Sequence, residues 1–318
     1  MKLRCAILDD YQQVALAAAD WTRIMDKVEV KCIHQHIDDP DELVEQIGDC
    51  EIVVMMRERT PFRAPLLARL PRLKLLVTTG MRNASIDLAA AASQGITVCG
   101  TGGAGNATAE LTWALILGLA RNIVLEHNAV RSGGWQSTVG TDLYGKTLGV
   151  LGLGKLGSKI AAFGQAFGMD VLAWSQNLTK ERADEVGVKL AASKEELLES
   201  SDFVSIHLVL SDRTRGLIGA SELKRMRPSA YLINTSRAPI VDQAALAEAL
   251  RNGWIAGAAV DVFEVEPLPK DHAFRSLPNL LTTPHIGYVS KANYEAFYGD
   301  AVQDIEAYLA GSPVRMLT

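Results

Sequence analysis

Cysteine is scarce. The 318-residue chain carries four, Cys5, Cys32, Cys50 and Cys99, and no two stand in a CxxC spacing. No disulfide framework is implied. Cys5, Cys50 and Cys99 adjoin apolar strand-like runs and are expected as core thiols in a reducing compartment, the cytoplasm. Positive charge is not in excess: 32 Lys and Arg against 37 Asp and Glu leave a net charge of −5. No basic patch therefore points to nucleic acid as a partner. Long apolar runs are missing too. The most apolar helix-like stretch, Leu111 to Ala120, is far too short to span a bilayer and reads as a buried helix. The opening MKLRCAILDDYQ lacks the apolar segment of a signal peptide, so no membrane partner is expected. His34 and His36 alternate on what reads as one strand face, but with no nearby cysteine or third ligand no metal site is expected.

What remains is ordinary globular material, 48% hydrophobic and 22% charged, in a length that suggests two domains. Residues 3–8, 28–33, 51–56, 73–78 and 96–99 read as short strands. Between them lie amphipathic segments at 13–25, 41–47, 64–70 and 86–94. Strands alternating with helices argue for a parallel sheet covered on both faces. A glycine-rich break at residues 100–105 precedes a long apolar helix from Ala107 to Ala120 and beyond. A second series follows, with strands expected at 148–151, 171–174, 203–207, 230–233, 256–260 and 280–282, and a closing amphipathic helix at 293–309.

The second series opens on the most informative stretch, Leu148 to Leu151 running straight into Gly152-Leu-Gly154-Lys155-Leu156-Gly157. In such a strand–turn–helix unit Gly152 permits the tight turn and Gly154 lets the backbone approach a pyrophosphate. Gly157 lets helix and strand pack closely. The phosphates would sit on the helix N-terminus, where free N–H groups and the macrodipole favour anions. The flanking strands supply the context that a bare GxGxxG lacks, so a dinucleotide is the expected cofactor. Selection of NAD usually needs an Asp or Glu at the end of the second strand. Here stand Trp174-Ser175-Gln176-Asn177, with no carboxylate to repel a 2′-phosphate, and Lys180 and Arg182 follow. That favours NADP over NAD. The alternative has Gln176 or Asn177 bonding a plain diol, with Lys180 and Arg182 merely solvated.

Three polar sites follow successive apolar strands: Arg237 in Asn234-Thr235-Ser236-Arg237, Asp261 and Glu266 in DVFEVEP, and His285 in Thr283-Pro284-His285-Ile286-Gly287. Alone, each is a surface Arg, a solvated acidic turn or a packed His. Together, behind one fingerprint and at strand ends where open α/β sheets bind ligands, they suggest a catalytic constellation.

With these motifs the chain resembles the D-isomer-specific 2-hydroxyacid dehydrogenases. The resemblance rests on LKLLVTTG with Ile86-Asp87, the Thr108-Ala-Glu helix start, GKTLGVLGLGKLG, and His207-Leu-Val-Leu with Thr214-Arg-Gly-Leu-Ile. It continues through NTSRAPIVD, GAAVDVFEVEP and TPHIGY. It implies two doubly wound parallel-sheet α/β domains. A Rossmann NAD(P)-binding domain, residues 103–288, would be inserted in a flavodoxin-like substrate-binding domain, residues 1–102 and 289–318. Crossover helices near 105–125 and 290–310, and a homodimer, are further implications. The family's catalytic residues carry over to Arg237, Glu266 and His285.

The chemistry explains those residue types. Hydride transfer to a 2-keto acid leaves an alkoxide needing a proton, and imidazole is the natural donor, or the base in oxidation. Glu266 would bond the other ring nitrogen and fix its orientation. The planar fork of Arg237 suits a substrate carboxylate better than a Lys point charge. Asp261 matches the residue that holds the nicotinamide carboxamide. By the same resemblance Thr108, His207, Thr214 and Thr235 join the glycine loop, Ser175 and Gln176 in binding cofactor.

On the substrate side the backbone N–H groups of Thr79, Gly80 and Met81 would cradle a carboxylate. Arg82 departs from the pattern and either adds a cation or points to solvent. Arg57, in Arg57-Glu58-Arg59-Thr60, resembles the phosphoglycerate dehydrogenase branch, where arginines serve a phosphorylated substrate. The chain has no room after residue 318 for the regulatory domain common in that branch. The resulting expectation is an NAD(P)-dependent reductase of 2-keto acids, with phosphoglycerate dehydrogenase activity or a co-repressor-like nucleotide sensor as alternatives.

Overall fold

The computed structural model describes residues 2–317. The chain divides into two compact units, one built from the residues up to Gly105 and from Val289 onward, the other from Asn106–Tyr288.

The first unit holds strands β1 (Leu3–Ile7), β2 (Val28–Cys32), β3 (Ile52–Met55), β4 (Leu75–Thr78) and β5 (Thr97–Gly100). Its helices are α1 (Pro40–Ile47), α2 (Ala64–Leu67) and α3 (Leu88–Ser93). The strands form one parallel sheet in the order β2-β1-β3-β4-β5. β3 and β4 are buried at every position, as a parallel sheet covered on both faces requires.

The second unit begins with α4 (Ala107–Ala120) and α5 (Ile123–Arg131). Then follow β6 (Thr147–Leu151), α6 (Lys155–Ala166), β7 (Asp170–Trp174), α7 (Lys180–Val186) and β8 (Lys189–Leu190). After these come α8 (Lys194–Ser200), β9 (Phe203–Ile206), α9 (Ala220–Arg225), β10 (Tyr231–Asn234), α10 (Gln243–Arg251), β11 (Gly257–Val260) and β12 (Leu280–Thr282). Its sheet is parallel throughout, in the order β12-β11-β10-β9-β6-β7-β8. Side chains alternate across it with the period of two a strand imposes. Val204, Ile206, Leu232 and Val260 enter one core, while Phe203, Ile233 and Ala259 enter the other with Ile160 of α6 and Ile116 of α4. Each fully buried Leu, Ile or Val adds roughly 1.5–3 kcal/mol. α11 (Lys291–Leu309) returns to the first unit.

The doubly wound reading holds in both sheets, and several local expectations are corrected. Residues 13–25 form no α-helix, only a single 3-10 turn at Trp21–Arg23. The Asp10 carboxylate accepts the Val14 and Ala15 N–H groups, and Gln13 takes a left-handed φ of 56°. The segment becomes a run of turns around buried Trp21, whose Nε1 donates to Ala15 O. Side-chain bonding to backbone wins here over a helical pattern. The long apolar helix stops at Ala120 and restarts at Ile123 after a 63° bend, with Asn122 left-handed. Among the described residues no single helix is long and apolar enough to cross a membrane. β8, two exposed residues on the sheet edge, was not expected from the sequence. His34 and His36 lie beyond the end of β2 rather than on it, and no group of metal-binding side chains occurs among the described residues. Cys5, Cys50 and Cys99 are buried free thiols, and burial pushes Cys99 up to about 11.

The chain's last residues close the free edge of β5. Gly100 donates to Arg315 O, Leu317 donates to Val98 O, and the Arg315 guanidinium donates through Nε to the fully buried Asp304 of α11. The second oxygen of Asp304 has no partner, and burial pushes its carboxyl up to about 7. A group whose folded pKa is raised stabilises at low pH and loses that contribution as pH climbs through the folded value. Asp304→Asn stays neutral and can still accept from Arg315. Its melting temperature relative to the parent should therefore rise between pH 5 and pH 8. A flat difference would mean that Asp304 ionises as an ordinary carboxylate.

Candidate active site

In the second unit one registered row of residues crosses six adjacent strands: Trp174, Leu151, Ile206, Asn234, Val260 and Thr282. The residue after each is Ser175, Gly152, His207, Thr235, Asp261 and Thr283. Parallel pairing thus sets residues more than a hundred positions apart along one carboxyl edge. β6 and β9 lie at the reversal of strand order, where doubly wound sheets take ligands.

The glycine loop is built as its motif demands. Gly152 has φ +99°, and a Cβ there would lie 2.7 Å from His207 O. At Gly157 a Cβ would lie 1.9 Å from Gly152 O, so any side chain would push α6 off β6. Gly154 caps α6 with open space beside it, and Lys155, Leu156 and Gly157 form the helix's first turn. That space against a helix N-terminus fits a dinucleotide phosphate. The His207 ring gives Nε2 to Ser205 Oγ at 2.8 Å, while its Nδ1 is buried with no partner. Burial pushes His207 down to about 3, so it is neutral.

The other expected cofactor residues differ in how far their groups are already engaged. Ser175 is half-buried and Gln176 exposed at the end of β7. Lys180 is paired with Asp184 on α7, but Arg182 reaches Ser158 Oγ in the first turn of α6 at 2.9 Å while also pairing with Glu185. Thr108 donates to Gly287 O, and Thr235 shares a hydrogen bond with Thr112. The Thr214 hydroxyl is spent on its own turn, accepting from Ser211 N and donating to Val209 O.

Arg237, Glu266 and His285 follow β10, β11 and β12. His285 Nδ1 lies 2.6 Å from Glu266 Oε2, and Glu266 Oε1 accepts from Phe263 N at 2.9 Å. The imidazole is thereby oriented from one side. Its Nε2 has no protein partner among the described residues. Tyr288 stands edge-on to the ring at 5.7 Å. Half-buried Arg237 turns Nη1 to Ser236 O, while Asn234 Nδ2 holds its carbonyl.

His285 has φ +53°, a left-handed conformation for a residue with a Cβ. Asp261 holds it there. One carboxylate oxygen accepts Thr283 Oγ1 at 2.6 Å and Ile286 N at 2.9 Å, and the other accepts Gly287 N at 2.8 Å. Burial raises the Asp261 carboxyl, and those hydrogen bonds oppose the rise. The sequence offered Asp261 as a cofactor contact. Its grip on the histidine turn was not foreseen, nor was the part of Thr283, although both stand in the quoted motifs.

The first unit carries the expected substrate loop. Arg57 donates its N–H to Thr79 Oγ1 and its Nη1 to Thr79 O, and the guanidinium lies across Gly80. The three-amide cradle needs correction. Thr79 N already donates to Met55 O and Gly80 N to Thr101 Oγ1. Within the described residues the amide of Met81, and next to it that of Arg82, remain unspent. Arg82 itself is exposed. Asn83, bonded to Arg57 O and Thr78 Oγ1, pins this loop.

Asp261→Asn would set an amide N–H against a backbone N–H. The expected loss is about 1–3 kcal/mol of stability, measured as a lower urea midpoint at unchanged slope. An unaltered midpoint would contradict the holding role.

Residues 113–287 match the family described as D-isomer specific 2-hydroxyacid dehydrogenase, NAD binding domain. A glyoxylate reductase of Aeropyrum pernix is 42% identical over 256 residues, 77% of this chain and 76% of that protein. A glycerate dehydrogenase of Methylorubrum extorquens is 38% identical over 286 residues, 86% of this chain and 87% of that one. Among solved structures, a phosphoglycerate oxidoreductase of Vibrio cholerae O395 superposes with a TM-score of 0.93 at 37% identity, covering 98% of this chain and 100% of that one.

Proposed function

The chain belongs to the D-isomer-specific 2-hydroxyacid dehydrogenases, and we propose that in its catalysis of 2-keto acid reduction His285 exchanges the proton, Glu266 orients it and Arg237 binds the substrate carboxylate. The observation that carries this reading is the 2.6 Å contact from His285 Nδ1 to Glu266, which leaves Nε2 as the exchangeable position. The nicotinamide cofactor supplies the hydride in reduction and takes it in oxidation, and the Gly152–Gly157 loop would hold its pyrophosphate. As the carbonyl carbon gains the hydride, the oxygen becomes an alkoxide. Nε2–H of His285 delivers the proton to it, while Nδ1 stays on Glu266. Arg237 pairs with the carboxylate and polarises the carbonyl, work for a planar fork.

The preferred cofactor in this reading is NADP(H). The end of β7 carries no carboxylate, and Arg182 is drawn onto Ser158 beside the glycine loop. The reading also includes a homodimer formed by the second unit. α5 leaves Ile123, Val124, Leu125 and Val130 exposed, and the following loop exposes Trp135, Val139 and Tyr144, an apolar surface that suits a second copy. Core thiols suit a reducing compartment, and we place the protein in the cytoplasm.

His285→Ala should slow keto-acid reduction by a factor on the order of 10²–10⁴ with cofactor affinity unchanged, read at 340 nm with glyoxylate and hydroxypyruvate. Retained activity would remove His285 from the mechanism. NADPH should exceed NADH in kcat/KM, and Arg182→Ala should erase roughly tenfold of that difference, the worth of one charge-assisted hydrogen bond. Equal use of both cofactors by the parent would count for the plain-diol alternative.

A further inference from the structure

The first unit holds a buried acid–histidine pair that the reaction does not use. It lies at the reversal of that unit's strand order, between β1 and β3, where Ile7 and Val54 pair in register. Just past these strand ends stand Asp9, with φ 58°, and Arg57, with φ 52°. Left-handed backbone at residues bearing a Cβ costs on the order of 1–3 kcal/mol each and persists only where surrounding contacts over-determine it.

The contacts that do so are specific. The buried Asp9 carboxylate accepts Thr60 Oγ1 at 3.1 Å through one oxygen and meets His36 Nδ1 at 2.9 Å through the other. His36 Nε2 lies 3.2 Å from Asp38 Oδ1. The Arg57–Thr60 loop is therefore held by Thr79 and Asn83 at its start and by Asp9 at its end.

An imidazole that bonds a buried carboxylate through Nδ1, with the exposed Asp38 carboxylate near Nε2, is favoured in its doubly protonated form. We propose that His36, as an imidazolium bonded to Asp9 and flanked by Asp38, is a positioning residue that holds the Arg57–Thr60 loop in its substrate-binding shape and thereby sets keto-acid affinity. The proposal rests on the reading that Arg57 contacts substrate.

Its consequence is a pH dependence of KM. The hydrogen bond to Asp9 raises His36 above its ordinary value, with burial opposing, the charges of Asp9 and Asp38 adding and the Arg59 cation opposing. The clamp is complete at low pH and is lost as pH rises through that raised value.

The test uses His36→Gln and Arg57→Ala in the full chain, with glyoxylate and hydroxypyruvate as substrates, from pH 6 to pH 9. His36→Gln should raise the keto-acid KM about tenfold at pH 6.5, the worth of a lost charged hydrogen bond. Its kcat and nucleotide KM should stay unchanged, and the alkaline rise in KM expected of the parent should be absent. Amide hydrogen exchange of residues 57–60, which needs no turnover, should quicken in the variant at pH 6.5 and converge with the parent near pH 9. An unaltered KM in His36→Gln, with Arg57→Ala raising it, would overturn the clamp alone. Unaltered KM in both would overturn the underlying reading of Arg57. A fall in kcat, a weaker nucleotide KM and a lower melting temperature together would reduce His36 to a merely structural residue and also sink the proposal.

Discussion

One buried carboxylate fixes the turn that carries His285. Asp261 accepts three hydrogen bonds from the five-residue path Thr283 to Gly287, and His285 sits inside that path with a left-handed backbone. The strain of such a residue is on the order of 1–3 kcal/mol, and each hydrogen bond to a charged group is worth roughly 1.5–3 kcal/mol. Three bonds outweigh one strained dihedral. The turn is therefore a single defined shape, and the side of the imidazole that meets Glu266 is set by backbone before any ligand arrives. Burial of Asp261 disfavours its charge, yet the same hydrogen bonds need that charge.

The sheet supplies what the turn cannot, namely the company His285 keeps. Arg237, Glu266 and His285 come from three separate strand exits. They fall on one edge because Asn234, Val260 and Thr282 are in register across β10, β11 and β12. A slip of one residue in any of these pairings would exchange the strand's two faces, and both are committed to cores. Leu232 and Val260 face one hydrophobic cluster, Ile233 and Ala259 the other. Packing on both faces thus fixes the register, and the register aligns the site. Glycine finishes the argument at the other end of the row, since only the absence of a Cβ lets Gly157 approach the carbonyl of Gly152.

This dependence explains what could be read from the sequence. Strand runs, the glycine loop and the three polar exits were legible because each is written locally, as periodicity or as residue types at fixed spacing. The register aligning them is non-local, but it follows from the doubly wound order. What escaped were side-chain-to-backbone bonds that cancel a local pattern. Asp10 dissolves an otherwise helical stretch at 13–25 by taking its amides. Thr101, twenty-one residues downstream, removes the Gly80 amide from the expected anion cradle. The pairing of Lys180 with Asp184 and of Arg182 with Ser158 was equally hidden, since nothing in the spacing says which cation turns toward α6. Such choices are worth a hydrogen bond each, too little to leave a mark on composition or period.

The two units meet the same physical problem in the same way. Each places a residue with a Cβ in the left-handed region just beyond the carboxyl end of a strand: His285 after β12, Asp9 and Arg57 after β1 and β3. A glycine would adopt those backbones without strain, but a glycine carries no group with which to act. Keeping an imidazole, a carboxylate or a guanidinium there requires an opposing interaction strong enough to hold the backbone, and in each unit a buried aspartate provides it. Asp261 accepts from the turn around His285. Asp9 accepts from Thr60 at the end of the Arg57 loop and draws its own compensation from His36. Polar side chains at strained positions and buried carboxylates beside them are therefore two sides of one constraint, and the second makes the first possible.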